Sequence, residues 1–486
     1  MASIKKNFIY NAILTMSGYI FPLIVYPYVS RVLGVSNMGA CNFVDSIVEY
    51  FTIISMMGMN TIGIREIAKN RNNQEKLNKT FSELFSLNTI TTLIAVIALI
   101  ISTLVLPKFY AYRDLLYIGV GKLFFNYMLI NWFFQGLENF KYITARTIFV
   151  KILFVIAIFT LVKSPSDVKL YYLLVALTWA GNGIINIVYS KKFVKFNFTL
   201  KTSKLITKSF IILGLYWCMN SMYTTLNVAY LGFVYNDTEV GYYTTAYKLL
   251  MVIMAMFTAL TSVMVPRISQ SLSISQKDKY AETISLLNKA ISALILFSVP
   301  LAFFVIPFSK ELIQLMSGPG YEGAVLPLQI MTPLFFLVGY DQIIVLQALL
   351  PLGKDNIILK NSILAAFVGI SANLALTTFF GKTGSALVLI LAEITVLVSS
   401  QIRIHSFIGL KFPYKPLNKY IIILSPIIFI CYAIKYLITS YVISLISGAL
   451  ITFLYVVFAC LTILKDNTTT NIINSIFPQK WTKKLF

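Results

Sequence analysis

SLNTITTLIAVIALIISTLVLPKF, residues 86–109, carries no charged side chain before Lys108, and LLNKAISALILFSVPLAFFVIPFS repeats its character at 286–309. About twenty apolar residues at 1.5 Å per residue span a hydrocarbon core of ~30 Å as an α-helix, so both stretches read as membrane helices. Working outward from them, similar runs fall near 8–33, 38–63, 82–106, 114–137, 143–162 and 168–190. A second set follows near 207–232, 241–266, 286–308, 327–350, 360–380 and 384–406, then a last pair near 418–438 and 442–464. The expected fold class is an all-α integral membrane protein with about 14 transmembrane helices. Composition agrees: 58% of the 486 residues are hydrophobic and 12% are charged, too few charges to cover a soluble core of this size. Alternating segments of about ten residues, the mark of a membrane β-barrel, are lacking. The first run, Phe8 to Gly34, is too long for a signal-peptide core and reads as a retained helix.

The net charge of +22 would suggest nucleic acid in a soluble protein, but here the basic residues sit in the short connections between apolar runs. With the N-terminus cytoplasmic, thirty of the 40 Lys and Arg fall on that side. Eight fall on the other: Arg31, Lys108, Arg113, Lys163, Lys169, Lys310, Lys382 and Lys435. Lys122 and Lys248 lie within spans. Basic residues are retained on the cytoplasmic face, so the bias predicts an even helix count with both termini cytoplasmic, and no nucleic-acid partner. The four cysteines, Cys41, Cys218, Cys431 and Cys460, all lie in apolar runs without CxxC spacing and read as packing residues.

The two sets of six spans also resemble each other. LGVSNMG (33–39) opens the second helix as LGFVYNDTEVG (231–241) opens the eighth, and LFFNYMLINWFFQGLENFKY (123–142) parallels LFFLVGYDQIIVLQALLPLGKD (334–355). Units with an even number of helices run in the same direction, related by a pseudo-two-fold along the membrane normal. The expected organisation is therefore a six-helix lobe at 1–195, a second at 196–410, and a helix pair with a cytoplasmic tail at 411–486. Two such lobes read as a transporter.

An ionisable side chain at membrane depth costs about 2.5–3.5 kcal/mol on insertion scales, so each needs a partner, a wet cavity or a route to the interface. On the second helix Asn42, Asp45, Glu49, Thr52 and Asn60 form a polar stripe at helical spacing. The eighth answers with Thr244, Lys248, Thr258 and Ser262. Lys122, Asp341 and Glu393 lie on helices four, ten and twelve, and Arg31 ends the first. The bland readings are interfacial snorkelling for Arg31 and structural ion pairing for Lys122 and Glu393. Asp45 and Glu49, one turn apart, disfavour each other's ionisation, which suits a shared proton; Asp341 is the rival ion-coupling site. Helices one and seven carry small or polar faces, with Pro22 and Pro27 in the first and Asn220, Thr224 and Asn227 in the seventh. Bends are expected there. The single histidine, His405, lies at a helix end, and no HExxH, P-loop, GxSxG or DxD pattern occurs. No cofactor, metal site or nucleotide site is expected, leaving a proton or sodium gradient, or mass action driven by removal of product, as the energy source.

Three stretches, LGVSNMGACNF (33–43), GIREIAKNRNN (63–73) with the following LFSLN, and WFFQGLENFKYITARTIFVKI (132–152), resemble the polysaccharide-repeat flippases of Wzx type. That family shares a superfamily with the multidrug and toxin extruders, and the similarity extends over most of 1–410. It implies a V-shaped pair of six-helix bundles with alternating access, located in a bacterial inner membrane. The substrate it implies is an undecaprenyl-pyrophosphate-linked oligosaccharide such as an O-antigen repeat unit, with membrane lipids, a polysaccharide polymerase and chain-length machinery as partners. A pyrophosphate needs cations and a glycan needs amides and aromatic faces. The candidate substrate-binding residues are accordingly Arg31, Arg65, Lys122, Asn126, Trp132, Gln135, Asn220, Asn227 and Lys248, with Asn131 and Arg146 nearby. A departure is that Arg31, Lys122 and Lys248 stand against Asp45, Glu49, Asp341 and Glu393, whereas such flippases tend to have a cationic lumen. The competing functions are a cation-coupled drug extruder, a peptidoglycan-precursor flippase and, as an enzyme, a membrane glycan polymerase. The polymerase would want a large outer loop, and the longest outer connection expected here is only 309–326.

Overall fold

The computed structural model describes residues 4–199, 204–273 and 279–464, with the side chains of 256–273 left aside. The tail from 465 onward and the Thr258 and Ser262 side chains of the eighth-helix stripe lie outside the described residues. Every element is helical, and no strand occurs among the described residues. Among the described residues eight helices are long and apolar enough to cross a membrane, or nine if the pair Glu322–Met331 and Leu334–Leu349, bent by 44°, counts as one span. Two of the eight, Ile9–Asn70 and Asp355–Ile408, run for 62 and 54 residues, well beyond the ~20 one crossing needs.

Glycines explain why such runs fold back. Helix α1 (Ile4–Met56) is two helices joined at Gly34, whose φ of 77° and ψ of 168° end the first predicted span where the second begins. Pro22 and Pro27, where bends were expected, lie within continuous helix. The second predicted span is not straight either: Met57, at φ 38°, and Gly58 separate α1 from α2 (Met59–Asn70). Here the helix Lys204–Ser221 crosses, its Leu213 Cβ only 2.7 Å from where a Gly58 Cβ would lie. In the other long run, Gly381 at φ 54° and ψ −132° supplies the reversal, a conformation that favours glycine.

Further helices follow: α3 (Gln74–Val105), α4 (Arg113–Asn126), α5 (Asn131–Gly136), α6 (Phe140–Leu161) and α7 (Val168–Ser190). After these come α8 (Lys204–Ser221), α9 (Thr225–Val234), α10 (Asp237–Ser273) and α11 (Lys279–Ser317). The connection expected at 309–326 is shorter than its sequence suggests, because α11 runs on to Ser317.

The chain divides into two compact units, 1–244 with 316–320, and 245–315 with 321–486. In the first, the two LG…G motifs meet. A Cβ on Gly39 would lie 1.7 Å from the Asp237 carbonyl oxygen, and one on Gly241 would lie 2.3 Å from that of Val35. Small residues let backbones approach this closely in apolar surroundings, and the Asn42 side-chain amide donates to the Thr244 hydroxyl (2.8 Å) beside the crossing. At the opposite end of the same helices, α2 packs on α5, with Gly63 beneath the Trp132 ring (2.6 Å to its would-be Cβ) and Gly136 against Ile67. Phe81, Phe85, Phe133, Phe134 and Tyr127 close an aromatic core around them. Replacing Gly63 by Val would thrust its branches into an indole that is 1% exposed. Overpacking typically costs about 1–3 kcal/mol, so the variant should melt measurably below wild type in a thermal-shift assay; an unchanged Tm would show that the indole can move aside.

In the second unit, α12 (Val325–Met331), α13 (Leu334–Ile344), α14 (Asp355–Ala372) and α15 (Thr378–Ile408) pack together. The last helices are α16 (Tyr414–Leu424), α17 (Pro426–Leu437) and α18 (Tyr441–Ala459). They attach to α11 at two points. Gly448 leaves room for the Phe308 ring, and Lys435 Nζ reaches both Glu311 Oε1 (2.9 Å) and the Pro307 carbonyl (2.6 Å). None of the four cysteines forms a disulfide; Cys218 is half-buried and the other three are buried.

Candidate functional site

The polar stripe of the second predicted helix meets α4 and α7 in the first unit. Gly119 permits the approach, since a Cβ there would meet Val48 Cγ2 at 2.5 Å. One turn further along α4, Lys122 is only 7% exposed, and its ammonium reaches Asp45 Oδ1 at 2.6 Å. The Tyr172 hydroxyl donates to the same oxygen at 2.8 Å, and the Trp179 ring lies 5.2 Å from Lys122 Nζ. A desolvated ammonium costs several kcal/mol. Here a charge-assisted hydrogen bond and an aromatic face offset that cost. Asp45 is thus matched by Lys122 and Tyr172 rather than by its neighbour on the helix.

Glu49, the other carboxylate of the stripe, points elsewhere. It lines a cavity of ≈ 360 Å³ with Thr52, Asn60, Asn126 and Asn131, walled by Trp179 and Trp217. Among the described residues no hydrogen bond or ion pair engages its carboxylate. Asn60 reaches the cavity from beyond the break at Met57, so the stripe is carried round a bend rather than along one helix. Asn126 Nδ2 is buried without a partner. Asn131 begins α5 immediately after Ile130, which adopts a left-handed conformation (φ 31°, ψ 35°) rare for a β-branched residue. The Arg146 guanidinium, 7% exposed, donates to Asn131 Oδ1 at 3.1 Å and to Thr147 Oγ1 at 2.9 Å, fixing which end of the Asn131 amide is spoken for. The cavity therefore offers one carboxylate, several amides and two indoles, with the Arg146 guanidinium behind Asn131.

Of the candidates named from sequence, Asp45, Glu49, Lys122 and Asn126 come together in this region. Asn131 lines the cavity too, and the remaining candidates lie apart from its wall. Trp132 is buried against Gly63 and is a packing residue in α5; Gln135 is half-buried on the same short helix. Arg65 is exposed and pairs with its neighbour Glu66 (3.1 Å). Arg31 is exposed at the end of the first span, donating to the Pro27 carbonyl at 2.6 Å. Asn227 is fully buried and donates to the Tyr243 hydroxyl (2.9 Å), while Asn220 is half-buried on α8. In the second unit Lys248 is half-buried on α10, and Asp341 Oδ1 accepts from Ser400 Oγ (3.2 Å), which in turn accepts from Asn361 Nδ2 (2.9 Å). Sequence reading missed Tyr172, Trp179 and Trp217. The first two stand at i and i+7 on α7, one helical face. Among the described residues no group of three or more His, Cys, Asp or Glu could hold a metal ion.

Comparison with known proteins bears on what such a site serves. Residues 4–272, more than half of the chain, match the model of the family described as polysaccharide biosynthesis protein. The chain belongs to that family. A family relative from Escherichia coli K12, described as "Putative O-antigen transporter", is 25% identical over 397 residues, covering 81% of this chain and 95% of its own. Another from Shigella dysenteriae, with the same description, is 27% identical over 402 residues, covering 81% and 98%. Among solved structures, the lipid II flippase MurJ in an inward closed conformation superposes with a TM-score of 0.76 at 15% identity, covering 94% of this chain and 99% of that one. The polysaccharide biosynthesis family member described here is thus a multi-pass helical membrane protein with the fold of that transporter.

Proposed function

We propose that the protein is a flippase that moves lipid-linked oligosaccharide repeat units from the cytoplasmic to the outer leaflet of a bacterial inner membrane by alternating access. The observation that carries this reading is the cavity of the first unit, whose amides and indoles suit sugar hydroxyls and ring faces. Family membership and the O-antigen transporter relatives support the glycan; the sequence repeats at 1–195 and 196–410 support two lobes. Fourteen crossings with both termini cytoplasmic agree with the Lys and Arg distribution. The undecaprenyl-pyrophosphate carrier belongs to this proposal, as do the polymerase and chain-length machinery as partners, and Arg65, Lys248 and Arg31 as cations met along the path. The test is flipping of a polyprenyl-pyrophosphate oligosaccharide in proteoliposomes. Accessibility of the sugar to an external enzyme should rise with the protein and stay flat without it. Extrusion of a cationic dye without glycan flipping would favour a drug exporter instead.

Energy coupling by a proton is assigned within this proposal to Glu49. Asp45 is engaged by Lys122, so the shared-proton pair expected from helical spacing becomes one matched carboxylate and one that faces the cavity. A carrier does work with a gradient when its two access states differ in affinity for the ion. Under an imposed pH gradient, Glu49→Gln should lose the gradient-stimulated part of transport, by about tenfold or more, while retaining gradient-free exchange. Full stimulation in that variant would move the coupling role to Asp341.

A further inference from the structure

A second cavity, of ≈ 700 Å³, lies in the other unit where α15 gives way to α16, lined by Gln401, Ile402, His405, Lys411, Phe412, Tyr414, Lys415 and Pro416. Its walls are built rather than frayed. Gly409, left-handed at φ 77° and ψ 13°, ends α15 with its N–H on the His405 carbonyl. The chain then turns back over the helix end, and the buried Leu410 is held there. Its carbonyl accepts from Gln401 Nε2 at 2.9 Å and lies 3.2 Å from His405 Nδ1. Phe412 fills the turn from below, 5.3 Å from the Tyr340 ring and 4.9 Å from that of Tyr414. Lys411 and Lys415 are exposed at the rim. No acidic residue occurs anywhere between Glu393 and Asp466, so the stretch that makes the pocket carries Arg403, Lys411, Lys415 and Lys419 without a local counter-charge.

Topology alone asks only that cations lie on this side; it does not ask for a cavity, an aromatic floor or a clamped turn. Apolar side chains flank the cations, Ile402 being 62% exposed and Tyr414 67%. Cations at a helix end above lipid-facing apolar surface match an amphiphile with a phosphate head and hydrocarbon tails. We propose that this pocket binds the phosphodiester headgroup of an anionic membrane phospholipid, with Lys411 and Lys415 on the phosphate and His405 and Gln401 shaping its floor. Such a lipid is a resident of the fold, bound apart from the cavity assigned to the glycan.

The full-length protein in neutral detergent, titrated with dioctanoyl phosphatidylglycerol and read by native mass spectrometry, tests this. One lipid should bind per chain, at least tenfold more tightly than dioctanoyl phosphatidylcholine, and more weakly as salt rises. Lys411→Gln with Lys415→Gln should cost tenfold or more in phosphatidylglycerol affinity. Lys360→Gln, which removes a cation of the same topological side on α14, should cost nothing. Equal binding of the two lipids, an unaffected double variant, or an equal loss in the Lys360 variant would each overturn the site. Inorganic phosphate should compete only weakly; competition as effective as the lipid's would overturn the lipid and assign the pocket to a soluble phosphate.

Discussion

Gly39→Ala, the smallest change available, is expected to leave no monodisperse protein when membranes are solubilised and run by fluorescence-detected size exclusion. The added Cβ would lie 1.7 Å from the Asp237 carbonyl oxygen, 2.6 Å from its carbon and 2.9 Å from the Gly241 nitrogen. These are backbone atoms, so no rotamer change relieves the contact. The two helices must separate, and with them the Asn42–Thr244 hydrogen bond and the Gly241 contact on Val35. Losses above about 4 kcal/mol are reserved for such cases. The matched control is Gly121→Ala on α4, where nothing lies within 4 Å of the new Cβ. There the substitution should stabilise by about 0.5–1 kcal/mol through helix propensity alone. A Gly39→Ala variant that elutes and melts as wild type would mean that the crossing is looser than described.

The second large effect is expected at Lys122. Lys122→Met leaves the methylene volume in place and removes the ammonium from Asp45, which then keeps only the Tyr172 hydroxyl among the contacts described above. Breaking a fully buried pair costs about 3–5 kcal/mol. The Asp45 side chain is 42% exposed, so about 2 kcal/mol is the better expectation for this pair. Asp45→Asn alone should also destabilise, since it leaves the buried ammonium without its anion. The double variant should recover much of the loss, giving a coupling energy of about 1 kcal/mol or more in a thermal double-mutant cycle. Additive losses would show that the two charges do not interact. Transport separates the roles further: if the pair only holds α4 to the stripe, the double variant transports, and if Lys122 meets a pyrophosphate, it does not.

Much of this fold was legible because apolar runs of bilayer length leave few alternatives. The break at Gly34 fell where the composition changed, and the twin LG…G motifs turned out to be the two sides of one crossing. The bends at Met57 and Ile130 were not legible. Neither residue type favours the left-handed conformation that both adopt. At the site, charge singled out Asp45, Glu49 and Lys122, which the fold brings near one another, but residue type alone could not say which carboxylate the lysine would take. Trp132 illustrates the opposite error. An indole at a helix end suits a sugar face, yet the glycine at 63, far away in sequence, leaves a slot that the indole fills. Trp179 and Trp217 line the cavity instead. Such assignments depend on which helix lies opposite, and that is decided by packing across the whole unit.

The link between Lys435 and Glu311 bears on how the chain is made. Glu311 leaves the ribosome well before Lys435, and it ends as a 12%-exposed carboxylate whose cation is supplied only by the last hairpin. Until that hairpin arrives, Glu311 lacks the Lys435 ammonium. When it arrives, Lys435 finds its counter-ion already in place. Docking of the last two helices on α11 is thereby tied to an ion pair whose acidic half is made first.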